Sequence, residues 1–121
     1  MAKHNKLGAE GEKAACEYLQ SRGYTIRDVN WRSGKLELDI IAQMGTVLVF
    51  IEVKTRHSDK YGFPEEAVTP AKIRRIVSAA DAYIRMYDLP LDVRFDVMSL
   101  IQVSDGYEIE QIEDAFFPPL N

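Results

Sequence analysis

Cysteine is nearly absent from this 121-residue chain: Cys16 stands alone, so no internal disulfide can form, and nothing near it has the thiol and imidazole spacing of a zinc site. It reads as a small buried hydrophobe on the first helix, in keeping with a reducing compartment. Apolar runs of membrane-spanning length are also missing, which excludes a transmembrane helix. The opening Met1 to Lys6 is polar and basic and predicts no signal peptide, so a cytoplasmic protein without membrane association is expected. Nor is there an excess of positive charge: 15 Lys and Arg against 19 Asp and Glu give a net charge of −4, which argues against a general nucleic-acid coat while leaving room for a local basic patch. Internal repeats and low-complexity segments are lacking too. What is present is a globular composition, 46% apolar and 28% charged. It predicts one domain over residues 1–121, with a core of about 7–112 and an irregular apolar tail at 113–121, long enough to bury a core without staples.

From about Leu7 to Arg22, residues Leu7, Gly11, Ala14, Ala15, Tyr18 and Leu19 recur at helical spacing, and Gly23 supplies a stop. Tyr24 to Trp31 reads as a strand, followed by turn-prone Arg32-Ser33-Gly34. Leu36 to Ala42 alternates, with Leu36, Leu38 and Ile40 on one face and Glu37 and Asp39 on the other. Thr46 to Lys54 is almost continuously apolar and reads as a strand buried on both faces. His57 to Val68 lacks periodicity and predicts a long loop. Thr69-Pro70 then starts a helix that carries an Ile73, Ile76, Val77, Ala80, Tyr83, Ile84 and Tyr87 stripe and ends before Pro90. Asp92 to Ile101 and Tyr107 to Ile112 read as strands joined by a Ser104-Asp105-Gly106 turn. This order predicts a mixed sheet with helices packed on it.

The informative feature is the end of the most apolar strand, where Glu52-Val53-Lys54 follows Val47 to Ile51. Charges ending a buried strand cost several kcal/mol unless paired or given to a metal. If Met44-Gly45 is a two-residue hairpin loop, Glu37 lies opposite Glu52 and Asp39 is diagonal to it, about 7–8 Å away at the backbone. An even loop keeps all these acids on one face. Two carboxylates, a backbone carbonyl and waters suit Mg²⁺ or Mn²⁺, and Lys54 beside that ion can orient a water or neutralise charge as a phosphoryl group is attacked. The alternative is a network of ion pairs that catalyses nothing. Glu12, at about 100° per residue, falls at the edge of the first helix's buried stripe, where it either reaches toward the sheet or simply favours the helix N-terminus. Lys3, Lys6 and Lys13, then Arg56, His57 and Lys60, then Lys72, Arg74 and Arg75 either line a phosphate groove or form solvated faces, since Asp59, Glu65 and Glu66 interleave with them. His57 has no nucleophile partner that would make it a general base. Trp31 and Tyr24 read as core aromatics before base-stacking ones.

In this order the pieces resemble the PD-(D/E)XK nuclease superfamily, and within it the small bacterial YraN-like family, restriction-endonuclease-like and related to Holliday junction resolvases. The residues that carry the resemblance are Gly8, Gly11-Glu12, Ala15, Tyr18-Leu19, Gly23-Tyr24, Asn30 and Arg32, then Glu37-Leu38-Asp39-Ile40-Ile41-Ala42 and Val49-Phe50-Ile51-Glu52-Val53-Lys54-Thr55-Arg56. Gly62, Pro64, Glu66-Ala67-Val68, Lys72, Arg75 and Arg94-Phe95-Asp96-Val97 complete it, over residues 8 to about 100. One position departs: Leu36 stands where the family has Gly, with Gly34 displaced.

The resemblance implies an α/β fold, a three-layer α/β/α restriction-endonuclease-like domain with a central mixed sheet around residues 24–31, 36–42, 46–54 and 92–101. It implies Asp39 and Glu52 as metal ligands with the Val53 carbonyl, Lys54 as catalytic lysine, Glu12 as the helix-one glutamate and Glu37 as an additional acid. Arg56, Lys72 and Arg75 are the expected nucleic-acid contacts. The expected activity is Mg²⁺- or Mn²⁺-dependent DNA endonuclease chemistry, on branched or junction DNA by analogy. A homodimer is expected from the need to cut two strands, with Phe116-Phe117 as contact. The competing expectation is a non-cleaving, structure-specific DNA-binding or repair-accessory module on the same fold.

Overall fold

Helical stripes and strand alternation resolve into two helices and five strands. A computed structural model describes residues 6–57 and 68–118, running α1 (Lys6–Ser21), β1 (Thr25–Ser33), β2 (Leu36–Met44), β3 (Val47–Arg56), α2 (Pro70–Tyr87), β4 (Asp92–Val103) and β5 (Gly106–Ile112). Most of the loop expected over His57 to Val68, with Asp59, Lys60, Gly62, Pro64, Glu65, Glu66 and Ala67, lies outside the described residues, as does Lys3.

The strands form one mixed sheet in the order β1-β2-β3-β4-β5, antiparallel except for the β3–β4 pair. A parallel pair needs a crossover, and α2 provides it. Five consecutive β3 residues, Leu48 to Glu52, are buried because β3 is the middle strand with a helix on each face. On one face Ala15 and Leu19 of α1 pack on Ile40, Ala42, Val49, Ile51, Met98 and Leu100. On the other, Ile76, Ala79, Ala80 and Tyr83 of α2 pack on Leu38, Ile41, Leu48, Phe50 and Phe95. The result is the expected three-layer α/β/α arrangement of restriction-endonuclease type. No helix of the described residues is long and apolar enough to cross a membrane.

Local chemistry explains the element ends. Thr69 caps α2 by accepting the Lys72 N–H at 3.2 Å, Pro70 opens it, and Asp88 closes it in the left-handed region at φ 52°. Gly34, at φ 62°, starts the two-residue turn between Ser33 and Leu36, so the glycine displaced from position 36 stands where this hairpin needs a positive φ. Leu36 then packs against the α2 core. Cys16 is half-buried against the α1 core, and burial, with Glu12 and Glu17 nearby, pushes its thiol pKa up. Trp31 meets Tyr83 edge-on at 5.1 Å, as a core aromatic does.

Two expectations need correction. The hairpin loop is Gly45-Thr46, because Met44 pairs with Val47, and the register shifts by two residues from the one expected. Alternation also slips along β2: Leu36 and Leu38 pack on the α2 side whereas Ile40 packs on the α1 side. The slip falls at Asp39, across from Asn30 of β1, which has a left-handed φ of 53°. In the tail, Phe116 stacks on Phe95 at 5.2 Å, half-buried against the core on the α2 side, and Phe117 is 71% exposed.

Two buried contacts hold the layers in place. Gly11 lies so close to β3 that a Cβ there would come 2.3 Å from Thr55 Oγ1 and 3.1 Å from its Cβ. Gly11→Ala is therefore expected to cost about 1–3 kcal/mol by overpacking, read as a lowered urea midpoint, and a second change of Thr55→Ala should recover most of it. Asp96, fully buried, accepts two bonds from Arg94, both 2.9 Å, one from Gln111 Nε2 at 2.9 Å and one from the Asp114 N–H at 3.2 Å. Arg94 and Gln111 also donate to the Tyr24 hydroxyl, at 2.5 and 3.3 Å.

Candidate active site

The site lies where β2 and β3 part. Their ladder ends at Ile40↔Ile51, and one more step of that register sets Asp39 against Glu52. There Asp39 Oδ2 accepts the Val53 N–H at 2.9 Å, a side-chain acceptor in place of a backbone carbonyl. The alternation slip is what turns Asp39 into this gap. Glu52 follows Phe50 on the α2 side of β3 and is 8% exposed.

Both carboxylates line one pocket of about 180 Å³, with Lys35, Glu37, Lys72 and Arg75 around it. Lys72, in the first turn of α2, places Nζ 2.6 Å from Glu52 Oε2, and Lys54 Nζ lies 3.9 Å from the same oxygen. Glu12 approaches from α1: its Oε1 accepts the Asn30 Nδ2–H at 2.8 Å, and its charge reaches Asp39. The close approach of α1 at Gly11 is what brings Glu12 this near.

Electrostatics follow from burial. Asp39 has its pKa pushed up to about 7, first by burial, then by the Glu52 charge, against the lowering effect of the Val53 N–H. Burial, followed by the positive charge of Lys72, lowers the Lys54 pKa from the ordinary lysine value. For Lys72 burial works the same way, but the hydrogen bond and charge of Glu52 outweigh it and the pKa rises.

The Asp39 shift fixes the sign of a pH effect on the metal-free protein. A carboxyl whose pKa is higher folded than unfolded (3.8) leaves stability intact below about pH 4 and lowers it as pH rises through about 7. Asp39→Asn is expected to remove this loss, on the order of 4 kcal/mol for a shift from 3.8 to about 7, so the difference between variant and wild type in urea unfolding grows from pH 4 to pH 7.5. An equal difference at both pH values would contradict the assignment.

Asp39 and Glu52 thus share one pocket, Lys54 approaches Glu52 from outside its lining, Glu12 acts on Asp39 from α1, and Val53 is held to Asp39 by its N–H. Glu37 lines the pocket but pairs with Arg32 at 3.2 Å, both side chains 57% exposed, a contact worth little. Arg75 stands exposed at the pocket, Arg56 lies half-buried at the end of β3, and His57 beyond it is exposed and not part of the pocket lining. Among the described residues no three Asp, Glu, His or Cys side chains converge closely enough to cage a metal ion. Two carboxylates and a carbonyl are a donor set that would suit a hard cation keeping several waters, and such an ion would relieve the Asp39–Glu52 repulsion.

Three roles escape the reading of residues in sequence. Lys72, expected at a phosphate, holds Glu52; only the docking of α2 reveals that. Asn30 as the anchor of Glu12 depends on a positive φ that Asn tolerates better than most residues, the one local signal available. Lys35 reaches the pocket because the turn is Gly34-Lys35.

With the geometry in place, relatives add context. The profile of a family described as "Uncharacterised protein family UPF0102" matches residues 11–100. A UPF0102 protein of Phocaeicola vulgatus is 50% identical over 120 residues, 99% of each chain. One from Bacteroides thetaiotaomicron is 48% identical with the same coverage, and one from Porphyromonas gingivalis is 47% identical over 118 residues, 96% of this chain and 87% of that one.

Proposed function

Because this chain belongs to the UPF0102 family, which lies in the restriction-endonuclease-like superfamily, we propose that it is a divalent-metal-dependent DNA endonuclease. The observation that carries this reading is the meeting of half-buried Asp39 and buried Glu52 in one pocket beside two lysines. A surface ion-pair network does not enclose two acids in one pocket and push the pKa of one up to about 7.

Asp39, Glu52 and the Val53 carbonyl hold Mg²⁺ or Mn²⁺, which supplies Lewis acidity and an acidified water when bound. Lys54, with its lowered pKa, orients the attacking water and balances charge building on the phosphoryl oxygens. Glu12, fixed by Asn30, adds negative field behind Asp39. Arg75 and Arg56 meet the phosphate backbone, and branched or junction DNA is the substrate class, by family analogy. Cutting both strands of a junction calls for two copies of the site, hence a homodimer.

A second reading, a DNA-binding or repair-accessory module that does not cut, draws support from the absence of a third converging acid among the described residues. Nicking of branched, flapped and linear DNA with Mn²⁺ at several salt concentrations decides between them. The enzyme reading expects cleavage by wild type and a loss of at least about 100-fold in Lys54→Ala. Binding without cutting by both proteins defeats it.

A further inference from the structure

We propose that Lys72 is the resident counter-cation of the Asp39–Glu52 pair, and that a divalent ion enters the site only by displacing the Lys72 ammonium from Glu52. The inference rests on the metal-dependent reading above and adds what controls loading. Two ammonium groups address one oxygen, Glu52 Oε2, and they do so unequally: Lys72 at 2.6 Å, Lys54 at 3.9 Å. Only the nearer is at hydrogen-bond distance. Lys72 also lines the pocket that holds both acids, and Lys54 is not among its lining residues. The position is built rather than casual, because Thr69 caps the helix on the Lys72 N–H itself, fixing the backbone from which the ammonium reaches.

Glu52 is buried, so its negative charge requires a partner whenever no metal is present. Lys72 supplies one on a tether. A hard cation seeks the same oxygen, and a positive charge already 2.6 Å from that oxygen repels it through a poorly screened interior. Tethered ammonium and metal therefore compete, and the apparent metal affinity is set as much by Lys72 as by the ligands. Lys54, farther from the oxygen, keeps its place beside a loaded ion.

Calorimetric titration of Mn²⁺ into wild type, Lys72→Met, Lys72→Gln, Lys72→Arg and Lys54→Met, at one pH and salt concentration, tests this without any activity readout. Lys72→Met and Lys72→Gln are expected to bind Mn²⁺ about tenfold more tightly than wild type. Lys72→Arg should stay near wild type, and Lys54→Met should gain less than Lys72→Met. Gln retains a hydrogen-bond donor for Glu52, so it answers the question even if Met disturbs folding. Equal or weaker Mn²⁺ binding by Lys72→Gln, with wild type binding normally, overturns the inference and leaves the metal site standing. Absence of Mn²⁺ binding in every variant removes the metal reading itself, and this inference with it.

Discussion

Glu52→Gln is expected to lower Mn²⁺-dependent DNA cleavage by about 10³-fold or more while the protein stays folded. Gln matches Glu in size and still accepts a bond from Lys72, so packing at the strand end survives. What disappears is half of the anionic donor set. Losing several kcal/mol of transition-state charge stabilisation corresponds to three or more powers of ten in rate. The same change removes the second-largest cause of the raised Asp39 pKa, the Glu52 charge, so Asp39 moves back toward the usual carboxylate range. Two independent readouts should therefore shift together: cleavage collapses, and the fall in stability between pH 4 and 7 becomes shallower. Wild-type cleavage rates in Glu52→Gln would remove Glu52 from the chemistry. An unchanged pH profile of stability would mean that burial alone, rather than the paired charge, sets Asp39.

The largest loss of stability is expected away from the site, at Arg94. Arg94→Met should destabilise the fold by about 3–5 kcal/mol, measured by urea unfolding, because it strands the fully buried Asp96 carboxylate with only Gln111 and the Asp114 N–H as donors. The Arg94–Asp96 pair joins β4 to β5 through Gln111 and to the start of β1 through Tyr24, so its role is structural. Replacing both partners, Arg94→Met with Asp96→Leu, should recover a substantial part of the loss, since no buried charge is then left alone. DNA cleavage per folded molecule should hardly change in either variant. A cost below about 1 kcal/mol for Arg94→Met would show that the network is not needed to hold β5.

Much of the architecture is legible in the chain because its signals are local. The cap and proline at Thr69-Pro70, the stripe from Ile73 to Tyr87 and the apolar run from Val47 to Ile51 each specify an element from neighbours within a turn or two. The Glu52-Val53-Lys54 block also announces itself locally, as charge at the end of a strand that composition marks as buried. The β2–β3 hairpin is less legible. Met44-Gly45 and Gly45-Thr46 are both acceptable two-residue loops, and both keep the acids facing, so turn chemistry does not reveal the two-residue difference in register.

What the chain determined by itself is the set of elements, their order and the identity of the charged residues near the strand ends, because periodicity, caps and charge are properties of adjacent residues. Tertiary structure alone decided how those charges are used. Asp39 turns into the gap because the Val53 N–H of a neighbouring strand is there to be bonded. Glu12 reaches the site because Gly11 lets α1 sit against Thr55. Lys72 meets Glu52 because α2 docks its first turn over the end of β3. Each of these depends on a partner 14 to 44 residues away in the chain, and no local preference encodes that distance.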